Sequence, residues 1–138
     1  MFLALDNSDE DKIDFYFFND NYNPAENSAL DTKWVQHSVS VSGKGLLELL
    51  TVILEKNNIS IKDLSGLAVL IGRGRFTATR IAVTVANTIA YSLQIPIIGV
   101  SDFNWNDLSN QIKNTPVGQL VSATYSGEAN IGSVKCKS

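Results

Sequence analysis

Three short segments in the first 41 residues are apolar, or alternate between apolar and polar side chains, which predicts three β-strands. They span residues 2–5, 13–18 and 33–41, and turn-forming residues rich in Asp and Asn stand between them. Consecutive strands usually pair with each other. We therefore expect the chain to begin with an antiparallel meander.

Residues 45–58, GLLELLTVILEKNN, change to the period of a helix. Their polar positions Glu48, Thr51 and Glu55 form one stripe, and leucine, isoleucine and valine occupy almost all of the remaining circumference. A surface helix normally buries an apolar arc of about 100° or somewhat more. We therefore expect this helix to carry more apolar surface than its own sheet covers, and a second molecule to cover the remainder.

The second half of the chain alternates strands and helices. A strand is predicted at residues 66–71, a helix at 76–93, a strand at 95–100, a helix at 102–113 capped by Ser101 or Asp102, and a strand at 119–124. With a weak last strand ending at Val134, the final segment would form a short terminal hairpin. The main order, βββαβαβα, predicts an α/β fold with a mixed five-stranded sheet.

Composition narrows the class of protein. The chain has 138 residues, which is the length of one domain. Of these, 44% are hydrophobic and 18% charged, proportions that are typical of a globular protein. Its net charge of −3 argues against a dedicated nucleic-acid binder, which is normally basic. The single cysteine excludes an internal disulfide and a cysteine-rich zinc site. No apolar run approaches the roughly 20 residues of a membrane span, and the residues before Lys12 include no basic side chain, so we expect a cytoplasmic protein.

The segment IGRGRFT joins the fourth strand to the second helix and is a candidate phosphate site, because backbone N–H groups and the positive end of a helix dipole meet there. The residues that would bind the anion or nucleotide are Gly72, Arg73, Gly74, Arg75, Thr77 and Arg80, with Asp6 from the end of the first strand. Alternatively, the glycines serve a tight bend, or the arginines meet a partner's carboxylates or tRNA. The turn lacks the Lys-Ser/Thr of a phosphate loop, so we favour a structural bend.

Residues 66–103 and the order of elements together resemble the TsaB (YeaZ) family, bacterial proteins of tRNA threonylcarbamoyladenosine biosynthesis. The family pattern is G-x-G-S-F-T-G-x-R-I-G, then a helix of small residues, then I-P-x-x-G-V-S. The matching residues are Gly72, Gly74, Phe76, Thr77, Arg80, Ile81, Ile95, Pro96, Gly99, Val100 and Ser101. The opening LALDNS is similar to the family's LAIDTS, and LVSATYSGE aligns loosely with the segment that opens its second domain.

The resemblance implies an actin-like (ASKHA, ribonuclease H-like) half-domain over residues 1–116 and a remnant of a truncated second domain over 117–138. It also implies a non-catalytic subunit that supports a TsaD-like transferase in modifying N6 of adenosine 37 of tRNA. The partners would be the TsaD-like protein in a heterodimer, a TsaE-like ATPase and, indirectly, tRNA; alone, the chain would form a homodimer. It would hold no metal or cofactor of its own, with ATP or ADP at the interface of the complex.

The two long helices would form the partner interface. The candidate contact positions are Leu46, Leu50, Ile53 and Leu54 on the first helix, and the alanine row Ala78, Ala82, Ala86 and Ala90 on the second. A row of alanines lets another backbone approach closely, but which positions meet the sheet and which meet the partner stays open. On this hypothesis, either of the substitutions Ala82→Arg and Ala86→Glu abolishes association and leaves the monomer folded.

Two other functions compete with this interpretation. A small actin-like phosphotransferase would use Asp6 as its metal-water carboxylate together with the glycine turn. Against that, Asn7 and Ser8 are the usual neighbours of a turn aspartate, and no second acidic residue is evident at a matching strand end. The other alternative is a scaffold that has left tRNA modification.

Overall fold

The computed structural model describes residues 1–19, 34–41, 43–72 and 76–122. Its strands are β1 (Phe2–Asp6), β2 (Lys12–Phe18), β3 (Val35–Ser40), β4 (Gly66–Leu70) and β5 (Ile97–Val100). Its α-helices are α1 (Leu46–Lys56), α2 (Phe76–Leu93) and α3 (Leu108–Lys113), with a short 3₁₀ turn at Ile61–Asp63. The predicted order βββαβαβα is confirmed. Within the described ranges, no helix has both the length and the apolar character needed to cross a membrane.

The five strands form one mixed sheet in the order β3-β2-β1-β4-β5. β1 pairs antiparallel with β2, and β2 with β3, so the predicted meander is confirmed. β1 and β4 run parallel, as do β4 and β5. The carboxyl ends of β1, β4 and β5 therefore meet at one edge of the sheet, which is where ligands bind in many open α/β sheets.

The helices cover the two faces of the sheet unequally. α1 and α2 pack side by side on one face and share a core with apolar residues of β1, β2 and β4. The short helix α3 covers the opposite face, where Leu108 and Ile112 are fully buried against Phe2, Ala4 and Ala68. The molecule is thus a three-layer α/β structure with its larger core beneath α1 and α2.

We expected α1 to carry apolar surface that a second molecule would cover. This expectation is wrong for most of its apolar side chains. Five of its seven apolar residues, Leu46, Leu49, Leu50, Ile53 and Leu54, are buried within the chain. Two neighbours cover α1, the sheet and α2, so its buried arc is wider than the arc that a sheet alone would cover. Only Leu47 of this set is strongly exposed, at 54%.

The third helix starts six residues later than predicted. It begins at Leu108 with Asp107 as its N-cap residue, and neither Ser101 nor Asp102 caps it. Instead, Asp102 accepts a hydrogen bond from the backbone N–H of Phe103. The physical reason for the late start is tertiary packing, because the rings of Phe103 and Trp105 contact Tyr16 on β2 and hold this stretch against the sheet. The backbone turns only from Asn104, whose carbonyl accepts from the N–H groups of Asp107 and Leu108.

The strand predicted at residues 119–124 is not formed in its described part, since residues 119–122 have no regular secondary structure. They contact the rest of the fold through Val121, which packs against the larger core and pairs with a side chain of α2. Residues 123–138, with the predicted turn and last strand of the hairpin, lie outside the described residues. The division at residue 116 into a domain and a remnant stays a prediction.

Gly66 allows α3 to approach β4 closely, and this leads to a prediction. A Cβ atom at this position would lie 2.4 Å from Cγ2 of Ile112 and 2.9 Å from Cδ1 of Phe2. We expect Gly66→Ala to lower the free energy of unfolding by about 1–3 kcal/mol, as overpacking does in other cores. Chemical denaturation measures the change.

Gly45→Ala is the control for that experiment. Nothing lies within 4 Å of a Cβ at Gly45, and its φ of −78° suits alanine. We expect a loss of less than about 1 kcal/mol there, the N-cap preference for glycine over alanine. Equal losses at the two positions would contradict the proposed close packing of α3 on β4.

Candidate functional site

The carboxylate of Asp6 lies at the carboxyl end of β1 and is engaged by its own turn. Its Oδ1 accepts hydrogen bonds from the backbone N–H of Ser8, at 2.9 Å, and from the Ser8 hydroxyl. This is an Asx turn, in which an aspartate satisfies the backbone two residues later. The geometry therefore agrees with a structural role for Asp6 at the end of the strand.

A second carboxylate faces Asp6, contrary to the sequence analysis. The register of β1 against β2 places Asp14 directly opposite Asp6, so the two side chains share one face of the sheet. Asp14 is only 7% exposed, accepts a hydrogen bond from the Ser38 hydroxyl and lies 3.6 Å from Nζ of Lys12. Sequence reasoning missed it because it considered only strand ends. Pairing the first two strands across residues 7–11 would have identified it.

Tyr16 lies two residues along β2 from Asp14, on the same face. Burial raises the pKa of Tyr16 to about 12, and the negative charges of Asp14 and then Asp6 act in the same direction. A phenol in this position stays protonated and can donate a hydrogen bond well above neutral pH. Among the described residues, no group of three or more His, Cys, Asp or Glu is arranged to hold a metal ion.

Aromatic rings extend this face of the sheet from Tyr16 towards β3. Trp105 lies 4.5 Å from Tyr16, 4.6 Å from Phe103 and 5.4 Å from Trp34, measured between ring centroids. Phe18 continues the cluster, at 5.2 Å from Trp34. These contacts fix the segment before α3 on the sheet and reduce the access of water to the Tyr16 phenol.

The raised pKa of Tyr16 predicts a pH dependence of stability. Between about pH 10 and pH 12 the phenol ionises in the unfolded chain but stays protonated in the folded one, so the free energy of unfolding falls as pH rises through this window. An ultraviolet absorbance titration should show one tyrosine titrating near pH 12, and Tyr16→Phe should remove it. Asp14→Asn should move it towards pH 10, whereas Asp9→Asn in the exposed turn should not. Titration of all tyrosines together near pH 10 would contradict this assignment.

Gly72, the first glycine after β4, lies at the same edge of the sheet as Asp6. Gly72 has a φ of +80°, a conformation that favours glycine, while Arg73, Gly74 and Arg75 lie outside the described residues. Thr77 and Arg80 are exposed on the first turns of α2. Nδ2 of Asn7 donates to the carbonyl of Ala78 at 3.0 Å, which ties the β1–β2 turn to the start of α2.

A hollow of about 340 Å³ lies between the β1–β2 turn and the starts of α1 and α2. Its lining combines Lys44 and Thr77 with the carboxylates of Asp9 and Glu10. The helix starts favour an anion, whereas the two carboxylates repel one. The geometry thus brings Thr77 close to the acidic turn, and anion or nucleotide binding by this edge stays a prediction.

The eight residues predicted to contact a partner face the inside of the chain. On α1 these are Leu46, Leu50, Ile53 and Leu54, and on α2 Ala78, Ala82, Ala86 and Ala90, and none is more than 9% exposed. The alanine row brings α2 close to the sheet of its own chain, so the close approach expected there is intramolecular. The expectation for Ala82→Arg changes accordingly: the arginine would enter the core and disrupt folding.

The outward faces of the same helices carry a different set of residues. A groove of about 320 Å³ on α2 is lined by Thr77, Arg80, Ile81, Thr84 and Val85. Ile81 is 44% exposed, and the exposed Leu47 lies in the first turn of the neighbouring helix α1. The hollow described above touches both helices, because Leu46 at the start of α1 and Ile81 of α2 line it.

The architecture is that of an ASKHA-type α/β protein, and the comparisons with known proteins agree. The structure of YeaZ from Pseudomonas aeruginosa superposes with a TM-score of 0.56 at 25% sequence identity, covering 73% of this chain and 44% of that one. The predicted fold class is thereby confirmed. A family model described as TsaD, tRNA N6-adenosine threonylcarbamoyltransferase, matches residues 42–127, more than half of the chain.

Curated relatives narrow the family further. The TsaB protein of Bacillus subtilis is 45% identical over 81 residues, which is 53% of this chain and 35% of that protein. The TsaB protein of Buchnera aphidicola (subspecies Schizaphis graminum) is 29% identical over 89 residues, 60% of this chain and 42% of that protein. The chain therefore belongs to the family that the TsaD model describes, within its TsaB (YeaZ) group. It spans less than half the length of these relatives.

Proposed function

We propose that the chain is a non-catalytic TsaB-like subunit in the biosynthesis of threonylcarbamoyladenosine at adenosine 37 of tRNA. It binds a TsaD-like transferase through the outward faces of α1 and α2 and supports that enzyme's activity. The names of its relatives and of the matching family model support the pathway. The exposed helix pair supports an interaction role.

The observation that carries the proposal is the uneven distribution of apolar residues on the two helices. Their inward faces are filled, yet Leu47 in the first turn of α1 is 54% exposed and Ile81, which lines the groove in the second turn of α2, is 44% exposed. A contiguous exposed apolar patch is typical of protein–protein contact sites, and Ile81 and Val85 together supply apolar surface to the groove on α2. We therefore place the interface on Leu47, Ile81, Thr84 and Val85 rather than on the buried alanines.

A substitution in the groove tests this placement. We expect Ile81→Arg to weaken binding to a TsaD-like protein at least about tenfold, because it places a charge in the apolar centre of the interface. Ser92→Arg is the matched control, since it adds the same charge to an exposed position of α2 about 16 Å further along the helix. Calorimetry with the purified partner measures both affinities, and circular dichroism checks the fold. Equal affinity of Ile81→Arg and the native chain would contradict the interface.

The competing function is an actin-like phosphotransferase that uses Asp6. The Asx turn at Asp6 and the bonds that engage Asp14 favour a structural role for both carboxylates. We therefore expect the purified chain to bind ATP more weakly than about 10 μM and to hydrolyse none above background. Turnover of ATP that Asp6→Asn abolishes would establish the competing function instead.

In the proposed complex the nucleotide lies at the interface with the transferase, a TsaE-like ATPase acts on the assembly, and tRNA reaches this chain only indirectly. Co-purification from cells with a TsaD-like protein separates this role from that of a scaffold that has left tRNA modification. Failure of the native chain to co-purify with such a protein would favour the scaffold.

A further inference from the structure

Residues 119–122 cross the β5 side of the molecule without regular secondary structure, and we call them the strap. Little apolar surface holds the strap in place, because Leu120 is 54% exposed and only Val121 packs against the larger core. Irregular segments with few buried contacts usually open more easily than the elements beneath them. Hydrogen bonds hold the strap in addition to this apolar burial.

Asn87 of α2 makes these hydrogen bonds. Its Nδ2 donates to the carbonyl oxygen of Val121 at 2.9 Å, and the backbone N–H of Val121 donates to its Oδ1 at 2.9 Å. The side-chain amide of Asn87 thus forms hydrogen bonds with both the N–H and the carbonyl of Val121, as the backbone of a neighbouring β-strand would. The pairing also determines the orientation of the amide, since turning it over would place donor against donor and acceptor against acceptor.

On its opposite side, Val121 packs against Gly99 of β5, which has no side chain. A Cβ atom at Gly99 would lie 2.6 Å from Cγ1 of Val121 and 3.0 Å from Cδ1 of Ile71. The strap therefore fits into a space that only glycine leaves open. α2 and β5 together form a seat for one residue of the strap.

We propose that Asn87 is a latch that holds the strap against α2 and β5, and that releasing it opens the strap while the sheet and the helices stay folded. The latch sets the position of Val121 between α2 and β5. It lies apart from the proposed interface, because neither Asn87 nor Val121 lines the groove of α2.

Hydrogen exchange of the full chain, measured by NMR, tests the latch. We expect Asn87→Ala to speed exchange of the Val121 amide about tenfold or more, because the amide loses its acceptor and the strap loses both bonds. Amides of β1 and β4 should keep the exchange rates of the native chain. Thr88→Ala is the matched control. Thr88 is exposed and its hydroxyl donates to the carbonyl of Thr84 in the same helix, so exchange at Val121 should stay within about twofold.

Two further variants separate the parts of the seat. Asn87→Asp keeps the acceptor for the Val121 N–H but sets a carboxylate against its carbonyl, so we expect faster exchange there too. Gly99→Ala should release Val121 from the other side with Asn87 intact.

Unchanged exchange at Val121 in Asn87→Ala would overturn the proposal. So would loss of protection in β1 and β4 together with Val121, because the strap would then belong to the cooperative core.

Discussion

The close approach of α2 to the sheet is the constraint on which the rest of the molecule depends. Four positions one turn apart on this helix are alanine, and three of them, Ala82, Ala86 and Ala90, are no more than 3% exposed. Small side chains shorten the distance between a helix and the surface beneath it, as close packing of interiors requires. α1 then packs beside α2 and buries its leucines against both the helix and the sheet. Among the described side chains of these two helices, Leu47 on α1, and Ile81 and Tyr91 on α2, are the large hydrophobic residues that remain exposed.

The periodicity of apolar residues predicted most helices and strands well, but it did not predict the contacts between them. The helix Phe76–Leu93 was predicted residue for residue, because an 18-residue apolar pattern between two strands has few other solutions. The late start of α3 could not be predicted in the same way. It depends on where Phe103 and Trp105 pack against Tyr16 and Trp34, and those contacts join residues that lie far apart in the chain.

The predictions for the candidate site were limited in the same way. Apolar rows on α1 and α2 were identified from spacing, but spacing does not tell which neighbour covers a row, so residues of the internal core were assigned to a partner. Asp14 was overlooked for a related reason, since its proximity to Asp6 follows from strand register rather than from position at a strand end. Both errors concern contacts between elements, where the helical and strand periods carry no information.

The shape of the outward helix face bears on the kind of partner it fits. In a two-fold dimer each part of the patch contacts the part that the axis places opposite it, so the groove beside Ile81 faces a second groove only when the axis passes through it. Two concave surfaces placed against each other leave unfilled space, and stable interfaces are packed about as densely as protein interiors. A partner that inserts a convex element, such as a helix with small and branched side chains, would fill the groove and cover Ile81 and Val85. A second copy of the chain meets the same requirement when the two-fold axis lies outside the groove, because a convex part of each copy then enters the groove of the other.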